Sequence, residues 1–443
     1  MTEQLIHNTA TWQVIGAAVI FLICYAFIVS EKINRSIIAL VGAVVMTILG
    51  IVDFKLAYTV HIHWETMFLL LGMMILAGIT NRSGIFHYLA IRTAQSAKGS
   101  PIKILTRLAI LTAVGSAFID NVTTVLLIAP ITIAITKTLR INPAPFLIAE
   151  ILICNIGGAS TLVGDPPNIM IGVAAGLTFN EFLTHFTPLI VVLVALTIAF
   201  LKYYFVNHLQ VEEQYKRLLM ETNPQDYIRD IVLAKKSIFV FALTLLGFLT
   251  HEYTHLEPAV VSLSGGTLLM LLSTKELDID EVFHSVEWVT IFFFAGLFVL
   301  VGGLVETGII QALATWMIKV TGGNTISTSF ILLWGAGLAS SFVDNIPLVA
   351  TLIPLVQDMS TQLALPIVEV RTLWWSIAIG ACLGGNGTLI ASSANLLIAS
   401  VAAREGTPIS FIEYLKVSIP VTLITLALGT LYVYIAFIRL GLA

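Results

Sequence analysis

Two short polar segments interrupt long apolar runs of this chain, and both contain the dipeptide Asp-Asn. Asp120-Asn121 lies between the apolar stretches 101–117 and 125–136, and Asp344-Asn345 lies in a similar setting 224 positions later (344 − 120). A carboxylate in the middle of a membrane-spanning segment costs roughly 2.5–3.5 kcal/mol on insertion scales. The same cost at two matching places indicates a pair of functional positions inside a membrane-embedded fold.

The composition agrees with a membrane setting. The chain has 443 residues, of which 58% are hydrophobic and only 11% are charged, whereas soluble domains carry about 25% charged residues. We therefore predict an all-α polytopic membrane protein in the lipid bilayer. The net charge of −4 says nothing about nucleic acid, but the sequence shows no basic arm and no zinc-ligand spacing, so no nucleic-acid partner is predicted.

The two halves of the chain repeat each other. An offset of 224 places Trp64 on Trp288 and Gly72 on Gly296, and an offset of 227 (384 − 157) places Gly157 on Gly384. The predicted first repeat covers 1–206, with scaffold spans in 11–80, a hairpin at 101–137, a broken span at 145–175 and a span at 182–206. A cytoplasmic linker at 207–236 leads to the second repeat, 237–443, with scaffold spans in 237–304, a hairpin at 326–359, a broken span at 372–403 and a span at 415–438.

The Lys and Arg residues indicate how the spans are oriented. If each Asp-Asn stretch is a re-entrant hairpin, nearly all Lys and Arg side chains fall on one side of the membrane, as expected for the cytoplasmic side. Each half then has five transmembrane helices, and this odd number makes the two repeats inverted. The resulting protein lies in the cell (inner) membrane with both termini outside.

Glycine and proline clusters interrupt one span in each half. Non-helical backbone at membrane depth is tolerated only inside protein or beside a wet cavity, and inverted repeats with broken helices are typical of secondary transporters. We therefore predict a substrate or ion site from the residues of both hairpin tips and both breaks: Asp120, Asn121, Thr123, Thr124, Asn155, Gly157, Gly158, Ser160, Thr161, Asp165, Asn168, Asp344, Asn345, Asn386, Gly387, Thr388, Ser392, Ser393 and Asn395.

Each acidic residue has a structural alternative. Asp120 and Asp344 suit a bound Na⁺, a proton or a solute hydroxyl, and they also suit helix caps that accept free N–H groups. Asp165, which precedes two prolines, fits either an ion site or the N-cap of a proline-started helix. Glu150 is a candidate proton relay, or else a structural partner of Asn155 or of the connector 85–97.

With these motifs in place, the chain resembles the ion transporter superfamily over about Thr11 to Ile438. The features that carry the resemblance are the paired Asp-Asn tips, the Gly-Gly breaks and Gly164-Asp165-Pro166-Pro167-Asn168. It is most similar to the group of arsenite-efflux permeases, NhaD-type antiporters and the melanosomal P protein, and it differs from the Ser-Asn-Thr tips of dicarboxylate and citrate carriers. The resemblance implies an elevator-type carrier with a citrate-transporter-like fold, in which the hairpins and broken spans move against the scaffold spans.

These patterns predict a transporter rather than an enzyme. No Lys or Arg adjoins the tips in sequence, which disfavours a strongly anionic cargo. Proton- or Na⁺-coupled efflux of an arsenite- or antimonite-type solute comes first, Na⁺/H⁺ antiport second and carriage of an organic anion third. A passive channel remains an alternative class, while the motifs of an intramembrane aspartyl protease are absent.

No cofactor is predicted beyond a coupling H⁺ or Na⁺, and no metal beyond a transported or coupling Na⁺. A homodimer through the scaffold spans and a soluble ATPase subunit are open alternatives for protein partners.

Overall fold

A computed structural model describes residues 10–30, 32–206 and 209–442. The flanking residues of the predicted repeats, 1–9 and 443, lie outside the described residues, as do residue 31 and the first two residues of the predicted linker. The first half contains α1 Thr11–Ser30, α2 Arg35–Ile48, α3 Phe54–Leu56, α4 Trp64–Arg82, α5 Ile85–Ser96, α6 Pro101–Phe118, α7 Asn121–Thr138, α8 Ala144–Gly158, α9 Pro166–Ala175, α10 Phe179–His185 and α11 Thr187–Phe205. A π-helical turn, Ala57–His61, follows α3.

The second half repeats this series after a short helix, α12 Glu213–Glu221, and a 3₁₀ turn at Pro224–Tyr227. Its helices are α13 Ile231–Thr254, α14 Pro258–Leu272, α15 Ile279–His284, α16 Trp288–Glu306, α17 Ile309–Thr321, α18 Thr325–Ser340, α19 Asn345–Gln362, α20 Ile367–Gly384, α21 Ser393–Arg404 and α22 Phe411–Tyr432. A π-helix, Val433–Arg439, continues α22.

The described residues form helices and no strands, as the sequence predicts for an all-α polytopic membrane protein. Nine of the described helices are long and apolar enough to cross a bilayer. The orientation of one half relative to the other in the membrane stays a prediction.

Glycines mark the end of the helix before each predicted break, and proline marks the restart after the first break only. The helix of the first broken span stops at Gly158 and restarts at Pro166, and the second stops at Gly384 and restarts at Ser393. Between α6 and α7 the chain is extended at Ile119, with φ −132° and ψ 139°. The first Asp-Asn stretch therefore consists of α6 and α7 joined through residues 119–120, and the second consists of α18 and α19 joined through residues 341–344.

Two boundaries differ from the sequence prediction. The predicted span 182–206 is divided at Phe186 into α10 and α11, because Pro188 suits a helix start better than a helix interior. The predicted linker 207–236 is partly helical, and α13 already begins at Ile231, capped by Asp230, which accepts hydrogen bonds from the N–H groups of Val232 and Leu233.

The scaffold helices of the two halves pack across each other. In α4, a Cβ atom on Gly72 would lie 2.4 Å from the backbone carbon of Ser262 in α14. In α16, a Cβ atom on Gly296 would lie 2.6 Å from the backbone carbon of Ala39 in α2. Both glycines, 224 positions apart, therefore allow direct backbone contact between halves, as small residues do at membrane helix interfaces.

Replacing Gly72 by alanine is expected to destabilise the protein by about 1–3 kcal/mol, because the new methyl group has to displace backbone rather than a flexible side chain. The matched control is Gly335→Ala in α18, where a Cβ atom meets no atom within 4 Å. Thermal unfolding in detergent should show a lower midpoint for Gly72→Ala and an unchanged or higher midpoint for Gly335→Ala. Equal midpoints for the two variants would contradict the described packing of α4 on α14.

Candidate functional site

Both predicted tip carboxylates cap helices. Asp120 is the N-cap of α7, and its Oδ1 accepts a hydrogen bond of 3.0 Å from the Thr123 N–H. Asp344 is the N-cap of α19, and its Oδ1 accepts one of 3.0 Å from the Ile346 N–H. The interpretation of both residues as caps is confirmed, and an additional role in ion binding stays a prediction.

The asparagines of the two breaks satisfy the interrupted backbone. Asn168 Nδ2 donates to the carbonyl oxygens of Ala159 and Thr161 at 3.1 and 3.0 Å. Asn395 Nδ2 donates to those of Gly385 and Thr388 at 2.8 and 3.0 Å. Both asparagines are fully buried, so each one supplies the donors that the lost helix turns would otherwise provide.

Threonine hydroxyl groups form hydrogen bonds between each break and the hairpin tip of the same half. Thr161 Oγ1 donates to the carbonyl of Ala117, and Thr388 Oγ1 donates at 2.7 Å to the carbonyl of Ser341. Ala117 and Ser341 are 224 positions apart, so the two halves repeat this contact. Other predicted residues lie in the same regions. The hydroxyl of Thr124 donates to the carbonyl of Ile119, and that of Ser160 donates to the carbonyl of Gly157. Gly158 packs against Asn121, Gly387 packs against Ser341, and Ser392 directly precedes α21.

Asn155 joins the first half to the second. Its Nδ2 lies 2.9 Å from both Asn386 Oδ1 and Asn395 Oδ1 and 3.3 Å from the carbonyl oxygen of Gly385. Its Oδ1 accepts a longer hydrogen bond of 3.5 Å from Asn121 Nδ2. One buried amide therefore contacts the first tip and the second break together.

The residue that corresponds to Asn155 in the second half is Cys382 (155 + 227). Its sulfur lies 3.4 Å from Asn168 Oδ1, so this position also reaches across to the opposite break. A thiol donates more weakly than an amide and in fewer directions. Both halves therefore have a contact with the opposite break at this position, but the donor is an amide in the first half and a thiol in the second.

Asp165 stands at the N-cap of α9, but its side chain caps no backbone N–H. Its Oδ2 instead accepts a long hydrogen bond of 3.4 Å from Asn345 Nδ2 at the second tip. The carboxylate is 2% exposed and belongs to none of the ion pairs among the described residues. The sequence alternative of a simple helix cap is therefore wrong for the Asp165 side chain.

An arginine lies at the second tip, contrary to the expectation that no cation adjoins the tips. Arg35, the first residue of α2, places Nη1 2.9 Å from Asp344 Oδ2 and also donates to Ser393 Oγ. Ser393 Oγ in turn donates to Asp344 Oδ2 at 2.6 Å, and the guanidinium carbon lies 4.8 Å from the centre of the buried Phe293 ring. The expectation failed because Arg35 and Asp344 are 309 positions apart in the chain.

The tips and the first break form one acidic region. Asp165 has both Asp120 and Asp344 as charged neighbours, and Glu287, at the start of α16, has Asp120 and Arg35. Sequence reasoning missed Glu287 because it precedes a scaffold span. Arg35 is the one cation that the described residues place in this region, and its ion pair is with Asp344, so the carboxylates outnumber the positive charges.

Glu150 lies apart from this region in its contacts. Its Oε1 accepts a hydrogen bond from the Thr132 hydroxyl of α7, rather than from Asn155 or the connector 85–97, so both suggested structural partners are wrong. The error arose because a helical pattern fixes which residues share a face but not which neighbouring helix that face meets.

Sequence reasoning also missed two polar side chains that support the second break. Tyr414 Oη donates at 2.9 Å to the carbonyl of Asn386, and Ser418 Oγ donates at 2.8 Å to that of Gly387. They lie four residues apart on one face of α22, and this polar pair inside an apolar helix is a signal that could have identified them.

The fold is that of known helical membrane transporters. The chain is similar to the YdaH transporter of Alcanivorax borkumensis, with a TM-score of 0.60 at 13% identity over 89% of this chain and 88% of that one. It is also similar to MtrF of Neisseria gonorrhoeae, described as one of a class of antimetabolite efflux pumps, with a TM-score of 0.60 at 13% identity over 98% and 97%. This likeness shows that the chain has the fold of these polytopic membrane proteins.

The chain belongs to the citrate transporter family, whose model matches residues 25–380. It is 41% identical to an uncharacterized transporter of Mycobacterium tuberculosis, over 95% of this chain and 98% of that protein. It is 30% identical to the P protein of Mus musculus, over all of this chain and 62% of that protein. The predicted resemblance to the superfamily of the P protein is confirmed, and the protein is a membrane transporter rather than an enzyme.

Replacing Arg35 by glutamine is expected to destabilise the protein by roughly 2–5 kcal/mol, because Asp344 loses its charge partner in a largely buried place. The double variant Arg35→Gln/Asp344→Asn should recover part of this loss, since it removes both charges. The control is Arg82→Gln, whose partner Glu281 is mostly exposed, so a change of about 0–1 kcal/mol is expected. Thermal unfolding of the natural protein, Arg35→Gln, Asp344→Asn and the double variant provides the double-mutant cycle, and additive effects of the two substitutions would contradict the ion pair.

Proposed function

We propose that this protein is a secondary active transporter that couples the movement of H⁺ or Na⁺ to that of a small solute. The observation that carries the proposal is the acidic region, in which Asp120 and Asp165 are buried and belong to no ion pair of the described residues, while Asp344 pairs with Arg35. Buried carboxylates need a proton, a metal ion or a fixed cation. Arg35 is the one fixed cation that the described part of the chain places beside these carboxylates, so mobile cations are left to balance the remaining negative charge.

The contacts between halves favour a carrier over a passive channel. Asn155 binds the opposite break, and Asn345 binds Asp165, so polar groups of the two halves close on one another at the tips. A permanently open pore would require these buried amides to face water. A carrier instead breaks and remakes such contacts as it alternates between the two sides of the membrane.

The proposed movement is of the elevator type. The moving unit comprises the hairpins and broken spans, from α5 to α11 and from α17 to α22, and the scaffold comprises α1 to α4 and α13 to α16. The scaffold is supported by the close backbone contacts at Gly72 and Gly296. Arg35 belongs to the scaffold and Asp344 to the moving unit, so this ion pair would break during the movement.

The first candidate cargo is a neutral hydroxylated solute of the arsenous or antimonous acid type. Arg35 is already neutralised by Asp344, while the other carboxylates of the region repel anions. The amide and hydroxyl groups of Asn345, Ser392 and Ser393 are suited to bind hydroxyl groups.

Arg35 favours a second candidate, an organic anion such as a tricarboxylate. Arginine binds carboxylates in bidentate geometry, and citrate is the substrate class in the name of the family to which this chain belongs. Binding would require the anion to displace Asp344 from Arg35, and a proton or Na⁺ on Asp344 would make that displacement easier.

Flux into everted vesicles under an imposed pH or Na⁺ gradient tests the proposal. Uptake is measured separately for arsenite, for citrate and for Na⁺ alone, and uptake of one of the three is expected to depend on the imposed cation gradient. Uptake of Na⁺ without added solute would instead identify a Na⁺/H⁺ antiporter. Equal flux with and without every cation gradient would contradict coupled transport and indicate a passive channel.

Replacing Asp165 by serine, the residue at the matching position 392, is expected to lower gradient-driven uptake by at least about fivefold, within the usual range of coupling between two bound ligands. Serine occupies this place in the second half, so the variant should still fold. Its pH profile should flatten more than its apparent affinity for solute falls. Ser392→Ala is the control, which removes a neutral group and should leave the pH profile in place. An unchanged pH profile in Asp165→Ser, with only lower thermal stability, would show a structural role.

Single cysteines test the proposed orientation. In a background without Cys24, Cys154 and Cys382, Gln225→Cys should react only with membrane-permeant maleimide in intact cells, because the linker is proposed to be cytoplasmic. Thr254→Cys, at the exposed end of α13, should react with an impermeant reagent. The reverse labelling would contradict the inverted orientation of the two halves.

A further inference from the structure

Glu150 is a buried carboxyl group that the acidic region does not use. It lies in α8, is 2% exposed, and accepts one hydrogen bond, from the hydroxyl of Thr132 to Oε1. Its other oxygen, Oε2, is buried and has no hydrogen-bond partner among the described residues. An ionised carboxylate here would be a buried charge with one oxygen unsatisfied, whereas a protonated carboxyl is neutral.

No cation of the surrounding helices reaches Glu150, which takes part in none of the ion pairs of the described residues. Helix α8 packs against α6, α7, α11, α20 and α21. Three of their charged side chains bind elsewhere: Lys137 pairs with Glu405, Arg371 pairs with Glu181, and Arg107 donates to Ser96. The remaining charged and titratable groups on these helices are Lys103, Lys202, Tyr203, Tyr204, Glu369, Cys382 and Arg404, and Cys154 lies on α8 itself.

The second half shows that packing does not require this polar pair. Thr132 corresponds to Val356 (132 + 224), and Glu150 corresponds to Ile377 (150 + 227). Both of these second-half residues are fully buried, in the corresponding helices α19 and α20. An apolar pair therefore fills this place in one half, while the other half holds a hydroxyl and a carboxyl at the cost of an unsatisfied oxygen.

We propose that Glu150, with Thr132, is a proton-binding site of the transport cycle, separate from the acidic region at the tips. The inference rests on the proposed coupled transport and assigns H⁺ as one coupling ion. When the site opens to water, the carboxyl group gives its proton to a water molecule and becomes a carboxylate. It regains a proton from hydronium before the site closes again, so no other reactant is needed.

Helix α8 connects this site to the contacts between the halves. Asn155, which binds both Asn386 and Asn395, lies five residues after Glu150 on the same helix, a rise of about 7.5 Å. Loss of the proton from Glu150 raises the free-energy cost of burying this part of α8, because an ionised carboxylate is harder to bury than a neutral carboxyl group. The contacts of Asn155 with the second half change when α8 shifts, and this links protonation to the movement of the carrier.

Two variants test the site. Glu150→Gln keeps the shape of the protonated side chain but cannot release or bind a proton in the cycle. Thr132→Val/Glu150→Ile copies the pair of the second half, which the fold already accommodates. For both, we expect folding as judged by size-exclusion elution, measurable solute exchange, and a loss of H⁺-driven accumulation on the order of 5- to 150-fold. Difference infrared spectra across pH should show, in the natural protein, a C=O band of a buried protonated acid that is lost in Glu150→Gln, while any band of the carboxyl groups in the acidic region is kept.

The outcomes separate this inference from the proposed function. Wild-type H⁺ dependence in Glu150→Gln, or infrared spectra that are the same in both proteins, would overturn the proton site and leave coupled transport intact. Coupling to Na⁺ alone would also overturn the proton site and leave coupled transport intact. A natural protein that responds to neither gradient would instead overturn the proposed function itself.

Discussion

The structure depends on satisfying non-helical backbone where a membrane provides no water. Asn168 and Asn395 each donate to two carbonyl groups of their own break, and Thr161 and Thr388 fasten each break to the loop of the neighbouring hairpin. Because the break is closed by side chains rather than by helix turns, helix ends and carboxylates can meet in the protein interior. The acidic region is possible only within this framework.

The halves are alike in framework and different in charge. Both tips carry a capping aspartate, but among the described residues only the first break adds a carboxylate, Asp165, and only the second tip pairs with an arginine, Arg35. At the cross-contact position, the first half has the strong donor Asn155 and the second has the thiol of Cys382. We infer that a duplicated fold assigned cation binding mainly to one half and solute recognition mainly to the other.

The sequence predicted the features that arise locally. Glycine clusters marked both helix breaks within a few residues, Pro166 and Pro167 marked the restart after the first, and the repeat offset paired Asp120 with Asp344. The sequence could not predict the ion pair of Arg35 with Asp344. The two residues are 309 positions apart, and the local sequence around Arg35 does not indicate which distant residue it contacts. The partner of Glu150 was missed for the same reason, since helix periodicity does not specify which neighbouring helix a residue meets. The inverted orientation and the roles of the site residues remain predictions.

The central claim is that mobile cations balance the carboxylates of the acidic region and thereby drive transport. Its most direct test is the steady-state accumulation of the cargo in proteoliposomes, with the membrane potential clamped and the pH and Na⁺ gradients varied independently. We expect an accumulation ratio that rises with at least one of the two cation gradients and reverses when that gradient is reversed. An accumulation ratio that follows only the gradient of the solute itself would contradict it.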